Sequence, residues 1–174
     1  MGEDERLSPD ESGDVNNDLP LVVADDEYVE RIVSKTNVSG KGGLRWQALK
    51  PRPGEMGVSV IRAVIGKNVV KRTAKAVIRD YVGLAEGLVG QLRAVGVDVV
   101  DERRVGEYHG HAEIRFQTYP EVLQPYEPVP ATEGNLEQIH YYKSHLRLFR
   151  LLVDPDPSSE SWDGPALAGG TLGE

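Results

Sequence analysis

The residues best suited to chemistry stand in YHGHAEIRF, residues 108–116, where His109, His111 and Glu113 follow one another at intervals of two. In an extended chain that interval puts all three on one face with Arg115, leaving Ala112, Ile114 and Phe116 on the other, and same-face neighbours lie about 6.6 Å apart. Two imidazoles so spaced can converge on one ion at about 2.0–2.1 Å each. A catalytic zinc takes three protein ligands plus water, so the pair is half a site, and Glu113, His140, His145 or a distant carboxylate has to complete it. Zinc or another divalent metal held there would acidify a bound water, with Glu113 or Glu107 as general base, giving a metal-dependent hydrolase. The simpler reading is the polar face of a half-buried strand, with His111 tucked against backbone or an acid. It is favoured because the stronger H-E-x-x-H pattern is missing.

Other catalytic patterns are incomplete. The chain has no cysteine, which excludes disulfides, thiolate metal sites and a cysteine nucleophile. SGKGG and IGKN lack the full phosphate-loop pattern. Ser59 in GVSVI sits within a strand-like run, without the sharp turn of a nucleophile elbow. His145 falls beside Tyr141, Phe149 and Leu152 on a helical wheel, the setting of a hydrogen-bonded core histidine. No catalytic residue is assigned, and a non-enzymatic role is favoured.

Charge offers a second function class. The net charge is -8, but residues 31–80 carry twelve bases against two acids, residues 1–20 seven acids against one arginine, and residues 154–174 five acids and no base. A basic surface of Arg45, Arg52, Arg62, Lys71, Arg72 and Lys75, with Trp46 among them, suits an acidic protein partner or nucleic acid. Trp162, alone in the acidic SSESWDGPAL, has the form of a short docking motif or of a solubilising tail.

The elements that must position these groups follow from pattern. Residues 1–18 and 154–174 are acidic and poor in large apolar side chains, so both are expected to be disordered, flanking one domain over residues 19–153. ADDEYVERIVSK places Val29, Ile32 and Val33 at helical spacing behind an acidic start, which predicts a short helix. VSVIRAVI predicts a strand, while residues 67–83 admit strand or helix. Leu84, Leu88, Leu92 and Val95 predict a helix stopped by Gly96, although Gly87 and Gly90 would each cost it roughly 0.5–1 kcal/mol relative to alanine. VDVV and HAEIRFQT predict strands. Asn135 and Gln138 form a capping-box pair for a last helix with Ile139, Tyr142, Leu146, Phe149 and Val153 inward, though the alternation in LRLFRLLV also suits a strand. The sum is an α+β fold: a small mixed or antiparallel sheet with about three helices, packed mainly on one side. With no run of about 20 apolar residues and an acidic start unlike a signal peptide, a cytoplasmic, non-membrane location is expected.

Taken in order, DDEYVERIV, ALKPRPGEMGVSV, LRAVGVDVVDE and GHAEI resemble a group of small uncharacterised bacterial proteins with a DEYVERI-like start, a central Ser-Val strand and a late His-Ala-x-Ile motif. The likeness spans Asp25 to Ile114. It implies an accessory role beside defence or toxin-type genes and supplies no catalytic residue.

Overall fold

A strand with apolar side chains on both faces belongs in the middle of a sheet with both faces covered, and Tyr28–Ser34 (β1) lies there. The computed structural model describes residues 19–51, 55, 57–103, 108–116 and 136–168. Its strands are β1, Gly57–Arg62 (β2), Tyr81–Leu88 (β3), Val97–Asp101 (β4), His111–Phe116 (β5) and Phe149–Val153 (β6). They form one sheet in the order β4-β5-β2-β1-β3-β6, and every neighbouring pair is antiparallel. The α-helices are Lys67–Val77 (α1), Val89–Ala94 (α2) and Leu136–Leu146 (α3). The expected α+β class, with three helices and an antiparallel sheet, is the architecture found.

Two cores sandwich the sheet. On one face Val29, Val33, Val60, Ala85 and Ile114 pack with Leu92 of α2, Tyr142 of α3 and Leu49. On the other, Ile32, Ile61, Leu84 and Leu152 pack with Val70 and Ala74 of α1, Trp162 and Leu167. This explains the first correction. Val29 and Val33 face one core and Ile32 the other, so a helix-like spacing at 29, 32 and 33 arises from a strand buried on both sides.

The same cause splits two other expected helices. Leu84 and Leu88 stand four apart, an interval that shares a face in a strand as well as in a helix. They belong to β3, and helix begins only at Val89. Gly87 is needed in that strand: a Cβ there would come within 2.8 Å of the Phe149 ring on β6. The last helix ends at Leu146, and the chain turns back as β6, with Phe149 in one core and Leu152 in the other. Asn135, the proposed cap, lies outside the described residues.

The C-terminal segment is also a correction. From Asp154 to Ala168 it is described, crossing α1 instead of hanging free as the expected disordered tail. Trp162 is only 3% exposed. Its backbone N–H donates to Asn68 Oδ1 at 2.8 Å and its indole N–H to the Pro165 carbonyl at 2.7 Å. The tryptophan read as either a docking motif or part of a solubilising tail is thus inserted into the protein's own second core. Residues 1–18 and 169–174 lie outside the described residues.

Replacing Trp162 with alanine removes a large buried side chain, and a loss of about 3–5 kcal/mol of unfolding free energy is expected. Urea denaturation checks this; an unchanged midpoint would mean the segment does not pack as described.

Candidate functional site

Of the six cations proposed as a basic surface, two are interior. Arg62 ends β2 fully buried. It grips both carboxylate oxygens of Glu27, at 2.9 and 2.6 Å, and donates to Asp101 at 2.7 Å and to the Pro20 carbonyl at 2.6 Å. Burial by itself would lower the Arg62 pKa, but Glu27 and Asp101 outweigh it and hold the guanidinium more firmly charged. Lys71, also with no exposed surface, lies 3.0 Å from Asp154 and donates to the Asp156 and Ser161 carbonyls and the Ser159 hydroxyl. Lys75 is held by Glu160 at 2.9 Å. Arg45 and Arg72 are exposed, and Arg52 lies outside the described residues. The basic patch is therefore not one surface, because α1 presents its lysines to the acidic C-terminal segment.

The histidine strand is close to its expected form, with a different use. Ala112, Ile114 and Phe116 enter the first core, while His111, Glu113 and Arg115 occupy the other face. His109 precedes the strand in a turn completed by Gly110, whose φ of +80° is a backbone conformation suited to glycine. Glu113 accepts from Arg115 Nε at 2.7 Å. Both His111 ring nitrogens have partners: Nδ1 lies 2.9 Å from the Glu102 carbonyl oxygen and Nε2 3.1 Å from Ser59 Oγ. Zinc coordination by this trio would have to break those contacts. Among the described residues no group of three or more His, Asp or Glu side chains is placed to hold a metal ion. His145 is a buried histidine bonded to the Tyr141 carbonyl at 2.7 Å, as its helical position implies.

What the tertiary structure assembles instead is a pocket beside Ser59. In the β2–β5 register Ser59 faces Glu113, and Ile61 faces His111, so serine and imidazole meet diagonally on one sheet face. Tyr108 sets its ring edge-on to His111, with centroids 4.6 Å apart. Ser59 and Tyr108 line a cavity of about 190 Å³ with Arg31, Lys50, Glu55 and Ile78. Arg31 is engaged in structure, donating to the Ala48 carbonyl at 2.8 Å and the Ser59 carbonyl at 3.0 Å. The Lys50 ammonium has no carboxylate and no hydrogen bond among the described residues; its nearest aromatic partner is the Trp46 ring, 5.9 Å away. Burial holds its pKa below the usual lysine range.

A second perturbed group lies deeper. Glu30 and Glu86 are cross-strand partners on β1 and β3, both buried. Burial first, and then the neighbouring Glu86, push the Glu30 carboxyl well above the usual range. Glu86 accepts from Arg150 at 3.0 Å and from the Ala168 N–H at 2.9 Å. It lines a wider recess of about 360 Å³ with Tyr28, Gln91 and Arg147, but its oxygens are already engaged.

Compared with family models, curated proteins and solved structures, the chain matches none. No helix among the described residues is long and apolar enough to cross a membrane. Sequence reasoning named His111 and missed Ser59 as its partner. The available signal was the period-two pattern in VSVIR and HAEIR, which puts each residue on a definable face; the register that joins them is not written in either segment.

Glu30 carries the pH prediction. A carboxyl whose folded pKa lies above its unfolded one binds more protons when folded, so its contribution is complete below the unfolded pKa and is lost as pH rises toward the folded one. Glu30→Gln keeps the side chain's size and removes the titration. The variant is expected to melt a few degrees above the parent at pH 8, with the gap closing toward pH 4, in paired thermal scans.

Proposed function

We propose that this is a cytoplasmic accessory protein that engages an acidic protein partner, taking one of its carboxylates at Lys50. The observation that supports the reading is the contrast between Lys50 and the cations held in ion pairs. Arg62, Lys71, Lys75, Arg93, Arg115 and Arg150 each hold a carboxylate. Lys50 lines a pocket shared with Glu55 and forms no ion pair there among the described residues. A cation partly withdrawn from water without a counter-charge is costly, and an incoming carboxylate offsets that cost. Exposed Arg45 and half-buried Trp46 flank it in sequence and supply a rim.

Nucleic acid is the weaker partner. Binding a phosphate backbone relies on several cations free to neutralise successive phosphates. Arg62 and Lys71 are enclosed, and Lys75 is paired with Glu160.

A glutamate-rich peptide titrated into the full chain, followed by tryptophan fluorescence, is expected to saturate. Lys50→Ala should weaken it roughly tenfold, the value of one charged hydrogen bond of about 1.5 kcal/mol. Arg72→Ala, at an exposed site on α1, should leave it unchanged. Equal affinity in Lys50→Ala, or tighter binding of duplex DNA than of the peptide, would overturn the proposal.

A further inference from the structure

We infer that Ser59 is a nucleophile activated by His111, and that the pocket hydrolyses small carboxylate-bearing esters. The Glu102 carbonyl oxygen can only accept, so His111 Nδ1, 2.9 Å away, carries the hydrogen. In the neutral ring Nε2 is then the acceptor, and Ser59 Oγ at 3.1 Å must donate to it. This is the arrangement a serine nucleophile needs: a base in the correct tautomer, held there by a third group on its far nitrogen.

The support is rigid on each side. Ser59 is set by the β2–β5 ladder, and His111 is only 7% exposed, held between the Glu102 carbonyl and the edge of Tyr108. Ser59 itself is half-buried and lines the pocket, so its oxygen meets whatever enters. A cavity of about 190 Å³ accommodates a short acyl chain. Arg31 is engaged with two backbone carbonyls, which leaves Lys50 as the lining cation available to an acyl carboxylate; this part of the inference rests on the anion-binding reading of Lys50 above.

The reaction balances with water as the co-reactant. Ser59 Oγ bonds to the ester carbonyl carbon as its proton passes to His111 Nε2. The carbon–oxygen bond to the leaving alcohol then breaks, and that proton goes to the alkoxide. Water attacks the acyl-serine, giving a proton to Nε2, and the acid departs as Ser59 regains its hydrogen.

The test uses the full chain with 4-nitrophenyl acetate and mono-4-nitrophenyl succinate, alongside intact-mass detection of a fluorophosphonate adduct. Both esters are expected to be cleaved, the succinate faster, with the adduct mapping to Ser59. Ser59→Ala should lose the adduct and at least about a hundredfold in rate on both esters. His111→Asn offers an amide donor to the Glu102 carbonyl and removes the basic ring nitrogen, so a folded variant, checked by circular dichroism, should show the same loss. Lys50→Ala should slow only the succinate, by roughly tenfold. Parent-like rates in Ser59→Ala, or an adduct elsewhere, would overturn the nucleophile even if Lys50 still binds acidic peptide. Loss in Ser59→Ala with no succinate preference would keep the nucleophile and remove Lys50 from the substrate site.

Discussion

Lys71 Nζ is enclosed by the Asp154 carboxylate, the Asp156 and Ser161 carbonyls and the Ser159 hydroxyl, and the cover over one whole face of the sheet depends on that contact. An ammonium with no exposed surface is tolerated only if its charge and its hydrogens are all answered, because removing one partner of a buried pair costs about 3–5 kcal/mol. Here the answering groups come from a segment some 80 residues away. Tyr81 adds its hydroxyl to Asp154 at 2.6 Å, and burial together with that carboxylate raises the phenol far above its ordinary range. Once Lys71 binds the segment, Trp162 and Leu167 are brought onto Ile32, Leu84 and Leu152, and the second core is complete.

The same requirement recurs wherever charge enters the interior. Arg62 and Arg103 share Asp101, and each guanidinium also donates to a Leu19 or Pro20 carbonyl, tying the chain's first described residues to the end of β2. Burial tends to raise the Asp101 pKa, yet the two guanidiniums prevail and hold it low. At Glu30 and Glu86 two buried carboxyls meet across β1 and β3, and burial together with Glu86 pushes the Glu30 carboxyl well above its usual range. These networks draw Arg62, Lys71 and Arg103 inward, so part of the charge segregation along the chain becomes a set of intramolecular bonds. Lys50 stands outside that scheme.

The Ser59–His111 pair depends on geometry of another kind. Side chains two residues apart on a strand share a face whatever the fold, but serine and imidazole come from strands that are not adjacent in sequence, with α1, β3, α2 and β4 between them. Antiparallel pairing of Ser59 with Glu113 and of Ile61 with His111 brings them within hydrogen-bonding distance. A shift of one residue would send His111 to the opposite face.

Local pattern alone settled a good deal about this protein: β2, β4 and β5 from β-branched and alternating residues, helical character at the start of the 136–153 region, the inward face of Ala112, Ile114 and Phe116, and the absence of cysteine chemistry. It misassigned β1 and β3, because a strand buried on both faces loses the alternation that marks strands and can mimic helical spacing. It misassigned the C-terminal segment for a related reason: composition reports how little a segment can bury by itself, whereas Trp162 buries itself in a core built by other elements. Whether a lysine is surface or interior, and which serine a histidine meets, are properties of pairs distant in sequence. Only the folded chain decides them, because charge pairing and strand register act through space and leave no mark on the residues taken singly.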